Sequence, residues 1–355
     1  MKLPPHFQAD FSRIYDALKP FTNRAYFVGG AVRDCLLEHD FNDVDIEIYD
    51  ISPETFEKLM EGIGAIGVGK SFFVYKLGAF DLSLPRVERK ISRGHTGFEV
   101  RTENDPRLAA KRRDFTINAI MVNIFDGEIL DFWGGRSDLK ARLIRHIDDE
   151  AFAEDSLRVL RSVRFAAQLG FKIAPKTAAI CREIAIDDLS KERIWLEFEK
   201  IAAAKDRLKG LWYIIALSIS RRLFGEERSS LRLFRLVRRS PLFYAMGVFW
   251  HKKRAVLEQI NAPKNLRREI ESDPSPPKKV SDRFLAAIAL KKPLKEWAGA
   301  KFLNIEKRAK ELGFYDEKFD PQVKSADLMR EGFSGKELGE QMRKRILDKV
   351  RKYGK

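Results

Sequence analysis

Residues 28–50, VGGAVRDCLLEHDFNDVDIEIYD, bring a glycine pair, an arginine and closely spaced carboxylates into one short segment. Alternation in DVDIEIYD puts Asp43, Asp45 and Glu47 on one strand face and Val44, Ile46 and Ile48 on the other. The apolar face can bury; the acidic face repels itself unless a cation sits among the carboxylates, and Mg2+ takes oxygen ligands of this kind. A solvated acidic face is the alternative. Gly29 and Gly30 end a short apolar run and precede AVRDCLL, whose spacing suits a helix. Glycines there let backbone approach a phosphate, the helix start offers free N–H donors, and Arg33 adds a fork-shaped cation. A plain turn would use the same two glycines.

The elements that must position these residues follow from periodicity. Over residues 1–130, strand-like runs occur at AYFVGG, DVDIEIYD, SFFVYKLGAFDLSLP and INAIMVNIF, with a helical pattern at PETFEKLMEGI between two of them. From about residue 138 the spacing turns helical, in ARLIRHI, DSLRVLRSVRFAAQL, KTAAICREIAI and RIWLEFEKIAA. The helical pattern continues, broken at NAPKNLRR and at residues 271–279, ESDPSPPKK. The fold class is α+β: an N-terminal head with a mixed β-sheet, followed by all-α neck, body and tail domains. A chain of 355 residues is long enough for several such domains.

Composition narrows the partners. The net charge of +15 is unevenly spread: residues 1–200 hold 30 Lys plus Arg against 33 Asp plus Glu, and residues 201–355 hold 37 against 19. The basic half suits a polyanion, most simply nucleic acid, although a soluble basic helical domain has the same composition. Arginines mixed with aromatics in residues 231–254, and the closing RKRILDKVRKYGK, are the candidate backbone contacts. No apolar run approaches the roughly 20 residues of a membrane helix, and MKLPPHFQAD lacks a secretory core, so the reading is cytoplasmic. Cys35 and Cys181 stand apart with no CxxC and read as small apolar residues.

Two motifs mislead. GAIGVGKS, residues 64–71, spells a phosphate loop, but a helical pattern precedes it and a strand-like run follows, which reverses the order that loop requires. His39–Asp40 spells the pair of metal phosphohydrolases, yet the chain has five histidines in all and only His251 lies beyond residue 200.

GGAVRD followed by DVDIE resembles the nucleotidyltransferase head of class II CCA-adding enzymes and the related bacterial poly(A) polymerases. Later segments support the likeness in order: DLSLPRVERK, RRDFTINA, ILDFWGGRSDL and EDSLRVLRSVRFAAQLGF, with weaker echoes at LSKERIWLEFEK and ADLMREGFSGKELG. It is specific over about residues 26–200; residues 205–320 carry no placeable motif. The resemblance implies a head at 1–135, a base-selecting neck at 136–205 and an RNA-binding body and tail at 206–355. It implies Mg2+ on Asp43, Asp45 and a third carboxylate, Asp81, with Glu88 a poorer substitute, and a triphosphate at Gly29, Gly30 and Arg33. Arg113, Asp114 and Asn118 of RRDFTINA then fall where the nucleotide is held, and KISRGHTGFEV reads as a loop beside the site.

A nucleotide-adding enzyme with no template must choose the base with its own side chains. On the helix expected for EDSLRVLR, at about 100° per residue, Glu154, Arg158 and Arg161 share a sector with Asp155 at its edge. A carboxylate beside a guanidinium presents acceptors and donors that can match the pairing edge of cytosine or adenine. A salt-bridged solvated face is the rival. The resemblance assigns base selection to Asp155 and Arg158, with Glu154 orienting the arginine. The activity it implies is template-independent addition of CCA to the 3′ end of tRNA from CTP and ATP. A poly(A) polymerase, or an enzyme adding only A or only CC, would carry nearly the same motifs. The sequence assigns no oligomeric state.

Overall fold

A computed structural model describes the chain apart from residue 2 and residues 70–73, 91–97, 226–230, 240, 250–251, 275–279, 298, 301–304 and 354–355. The described chain forms two compact units, Met1–Ser190 and Lys191–Lys355.

The first unit is built on a seven-stranded mixed sheet. In chain order its elements begin with α1 (Gln8–Leu18), β1 (Ala25–Val28), α2 (Gly30–Leu36), β2 (Val44–Ile48) and α3 (Pro53–Gly62). Three strands follow, β3 (Ile66–Gly69), β4 (Val74–Leu77) and β5 (Phe80–Ser83). A separate two-stranded ribbon comes next, β6 (Arg86–Lys90) with β7 (Phe98–Thr102), then α4 (Pro106–Lys111), β8 (Met121–Asn123) and β9 (Ile129–Leu130). The spatial order is β3-β4-β5-β2-β1-β8-β9, and within this sheet, among the described residues, β2 and β5 are the parallel pair.

The period-two reading of DVDIEIYD is realised in β2. Val44, Ile46 and Ile48 are fully buried, Asp45 is exposed and Glu47 half-buried. Below them Ile14, Leu18, Phe27 and Phe80 are closed off from solvent, with Phe7 meeting Phe80 edge-on at 5.6 Å. Burying four such side chains stabilises by roughly 1.5–3 kcal/mol each, which fixes the register that points the carboxylates outward.

Two sequence expectations change. SFFVYKLGAFDLSLP is not one strand: Gly78 and Ala79 form a two-residue turn, so β4 and β5 pair as a hairpin with Lys76 opposite Asp81. ARLIRHI is not one helix. The helix α5 (Gly135–Ala141) stops where Arg142 adopts a left-handed φ of 54°, and β10 (Leu143–Ile144) then pairs parallel with β11 (Lys172–Ile173). Around that ribbon stand α6 (Asp149–Ala153), α7 (Leu157–Leu169) and α8 (Pro175–Glu183).

GAIGVGKS contains the turn after α3 and then β3, helix before strand; its Lys70 and Ser71 lie outside the described residues, as does most of KISRGHTGFEV. His39 and Asp40 are exposed just after α2, where the His39 amide donates to the Asp34 carbonyl at 2.8 Å.

The second unit is helical, beginning with α9 (Lys191–Ala203). In its Leu231–Arg239 helix Leu233 and Val237 are buried while Arg235 and Arg238 are exposed, as the mixed pattern predicts. Near its end Trp297 is fully buried with Leu285, Phe314 and Val350, and its indole N–H donates to the Pro274 carbonyl at 3.0 Å. Among the described residues no helix is long and apolar enough to cross a membrane.

Candidate active site

The parallel register of β2 on β5 sets Asp45 directly beside Asp81, and Glu47 beside Ser83. The β4–β5 hairpin then brings Lys76 Nζ to 3.3 Å from Asp81 Oδ1. These side chains line a recess of about 500 Å³ together with Glu47, Arg112 and Arg113. Asp43 precedes β2, is exposed and does not line it. The Asp45 carboxyl is pushed above its usual range, chiefly by its own desolvation; Arg113 opposes this, and Asp81, Glu47 and Asp43 add to it.

Glycine at position 29 follows from the same register. Val28 pairs with Asp45, so the next residue turns directly over the Asp45 side chain. Gly29 adopts φ 73°, ψ −137°, and a Cβ there would lie 3.0 Å from Asp45 Oδ2 and 3.4 Å from Arg113 Nη1. Gly30 is different: it is the first residue of α2, and a Cβ would meet only Arg33 Nη2, at 3.6 Å.

Arg113 enters from the bend after α4, whose start is fixed by Asp105 accepting from the Arg107 amide and by Pro106 at the first helical position. Its Nη2 donates to Glu47 Oε1 at 2.6 Å, and Tyr49 Oη donates to Glu47 Oε2 at 3.0 Å. Burial alone would lower the Arg113 pKa, but Glu47 and Asp45 outweigh it and raise it. The Tyr49 hydroxyl is pushed up by burial and by Glu47.

Arg33 is buried and already engaged. Its Nε and Nη2 donate to the two Asp34 carboxylate oxygens at 2.8 and 2.6 Å, and its Nη1 donates to Asn118 Oδ1 at 2.8 Å. Asn118 donates in turn to Asp114 Oδ1 at 2.9 Å, and Arg161 Nε to Asp114 Oδ2 at 2.7 Å. Phe165 lies under both guanidinium groups, at 5.0 Å from Arg33 and 5.5 Å from Arg161. Burial of Asp114 would raise its pKa; Arg161, Asn118 and Arg158 together bring it below the usual range. These residues form one continuous network, in which Arg33 fixes Asn118 while its charge is met by Asp34.

The helical arrangement expected for EDSLRVLR holds only from Leu157. Glu154 closes α6 and Asp155 lies in the junction, where its Oδ1 accepts from the Leu157 amide at 3.2 Å. Asp155 cannot extend α7 backward because it serves the orphan donors at its start. Arg158 donates to two backbone carbonyls, those of Ala151 at 2.5 Å and Arg112 at 2.6 Å, and Asp155 and Glu154 are close enough to act on its charge. Its pKa is lowered, first by burial.

The structure thus brings Asp45, Asp81 and Arg113 to one recess with the Gly29 turn against Asp45, and links Arg33, Asp114, Asn118 and Arg161 in a hydrogen-bonded network. Sequence reasoning missed Lys76 and Tyr49. A two-residue turn at Gly78–Ala79 would have placed Lys76 opposite Asp81 by counting outward from Leu77 and Phe80.

Among the described residues no three Asp, Glu, His or Cys side chains converge into a metal cage, and Lys76 and Arg113 engage Asp81 and Glu47. The donor set still fits a hard divalent cation, because Mg2+ is commonly held by one or two carboxylates with substrate phosphates completing the shell. The electrostatic crowding of Asp45 is what such an ion would relieve.

Residues 25–145 match the model of the poly A polymerase head domain. Multifunctional CCA proteins of Xanthomonas campestris pv. campestris (strain B100) and Nitrosospira multiformis are 41% identical over 191 residues and 42% identical over 185. Each alignment covers 50% of this chain, and 45% and 43% of the two relatives, so the chain spans less than half the length of the relatives it matches. The Thermotoga maritima CCA-adding enzyme complexed with tRNA shares the fold, with a TM-score of 0.72 at 23% identity over 98% of this chain and 92% of that one. The Bacillus stearothermophilus CCA-adding enzyme in complex with CTP gives 0.66 at 25% identity over 96% and 93%.

Proposed function

We propose, on the premise that this chain carries a head domain of the poly A polymerase family, that it is a class II tRNA nucleotidyltransferase. In this reading it adds CCA to the 3′ end of tRNA from CTP and ATP, in the cytoplasm, without a template. The observation that carries it is the pairing of Asp45 with Asp81 on adjacent parallel strands, beside a glycine turn and over a recess of about 500 Å³.

Asp45 and Asp81 would hold a divalent cation, Mg2+ in this proposal, with Asp43 as a further ligand; such an ion lowers the pKa of an attacking 3′-hydroxyl and offsets triphosphate charge. Gly29 carries no Cβ to press on Asp45 and Arg113, so the turn can lie close over both where the phosphates would be received. Arg113 reaches the same point and supplies fixed positive charge. Asp114 and Asn118, held by Arg161 and Arg33, form a rigid support for the sugar. Arg158 stands beside them, held by two backbone carbonyls that use one donor on each terminal nitrogen, which leaves further N–H groups to meet a base edge. The basic second unit is the RNA-binding part in this scheme, and the division at 135 and 205 belongs to the same proposal.

The test is incubation with tRNA lacking its 3′ CCA and each labelled nucleotide separately. Incorporation of C first, followed by A, is expected. Use of ATP alone would transfer the assignment to poly(A) or A-only addition, and use of CTP alone to CC addition.

A further inference from the structure

Glu47 is the one carboxylate of the acidic β2 face that the proposed reaction leaves unused, and it is the one tied most tightly. Its two oxygens accept from Arg113 Nη2 at 2.6 Å and from Tyr49 Oη at 3.0 Å. Tyr49 is itself immobile: it is buried, packs edge-on against Tyr26 at 5.6 Å and carries Arg24 5.4 Å from its ring. Arg113 has its other terminal nitrogen beside Gly29, at the point that Asp45 Oδ2 also approaches. Even so, Arg113 forms its ion pair with Glu47, and Asp45 has none among the described residues.

A guanidinium gains most from a bidentate carboxylate, and Asp45 Oδ2 and Arg113 Nη1 both reach the same point over Gly29. We propose that Glu47 is a positioning residue: it tethers Arg113 away from Asp45, so that the Asp45 carboxylate stays open to a divalent cation while the arginine's charge remains in the recess. The tether rests on the reading of Asp45 as a metal-holding residue. Without Glu47 the guanidinium falls onto Asp45 and competes with the metal for the same oxygens. Tyr49 matters by fixing the Glu47 carboxylate in the orientation that reaches Arg113.

The experiment is direct titration of the full chain with Mn2+, without nucleotide, reading free ion by electron paramagnetic resonance. Circular dichroism confirms that each variant is folded. Glu47→Gln should weaken Mn2+ binding roughly tenfold, the size of effect that one opposing charge at ion-pair range exerts on a carboxylate's proton equilibrium. Tyr49→Phe should weaken it in the same direction by less, which keeps the proposal testable if Glu47→Gln folds poorly. The deciding variant is Glu47→Gln with Arg113→Gln, because removing the arginine removes the competitor: binding should return to that of Arg113→Gln alone. If the double variant stays as weak as Glu47→Gln, Glu47 is itself a metal ligand and the tether is wrong. It is equally wrong if Glu47→Gln binds like the parent protein. Asp45→Asn separates the two levels. Loss of Mn2+ there with no effect of Glu47→Gln removes the tether alone, whereas unchanged binding in Asp45→Asn overturns the metal reading and the tether with it.

Discussion

Replacing Gly29 and Gly30 one at a time distinguishes a functional glycine from an incidental one. Gly29 sits at φ 73°, ψ −137°, a region that L-residues occupy at a cost of about 1–3 kcal/mol. Its added methyl would also press on Asp45 Oδ2 at 3.0 Å and Arg113 Nη1 at 3.4 Å, displacing the two charges that define the recess. Gly30 has no left-handed φ and begins a helix, so alanine there should be neutral or gain about 0.5–1 kcal/mol. Taking about 2 kcal/mol for Gly29→Ala, a unit of this size should melt roughly 4–8 °C lower. Urea denaturation and thermal melting measure stability, and single-nucleotide incorporation reports on the site. Gly29→Ala should lose stability and activity together. Should Gly29→Ala match the parent protein within about 0.5 kcal/mol, or Gly30→Ala destabilise as much, the argument from register and steric approach fails.

Asp114→Ala should cost about 3 kcal/mol, since it leaves Arg161 and Asn118 without their shared buried acceptor; a denaturation midpoint unmoved from the parent protein would contradict the network. Asp45 gives a pH-dependent outcome. Its folded pKa lies above the ordinary value of about 3.9, so ionisation opposes folding, and the stability the protonated group confers is lost as pH rises through the folded pKa. With chelator present, Asp45→Asn should therefore be more stable than the parent at neutral pH, with the difference vanishing below about pH 4; a less stable variant at neutral pH would reverse the sign. Asp43→Ala should abolish nucleotide incorporation with RNA binding retained; substantial residual turnover would remove it from the site.

The sheet and the acidic strand were legible because period two and burial act locally: Val44, Ile46 and Ile48 had to face the core, and the carboxylates had to face away. Asp81 was legible through its motif, and its register against Asp45 is what makes the two neighbours. What was not legible depends on tertiary pairing. Arg33 reads as a free cation in sequence, yet Asp34 and Asn118 engage all three of its nitrogens, and Asn118 is distant along the chain. Glu154 and Asp155 fit a helical wheel, but Asp155 is worth more as an acceptor at the start of α7 than inside it. Arg142 ends a helix in a left-handed conformation that no glycine announces.

Single-turnover incorporation of labelled CTP into tRNA lacking CCA, by Asp45→Ala and Asp81→Ala, tests the central pairing most directly when tRNA binding is measured in parallel. Both variants should bind tRNA as the parent protein does and incorporate nothing measurable. Near-normal incorporation by Asp81→Ala would mean that the carboxylate set beside Asp45 by the parallel strands has no part in the chemistry.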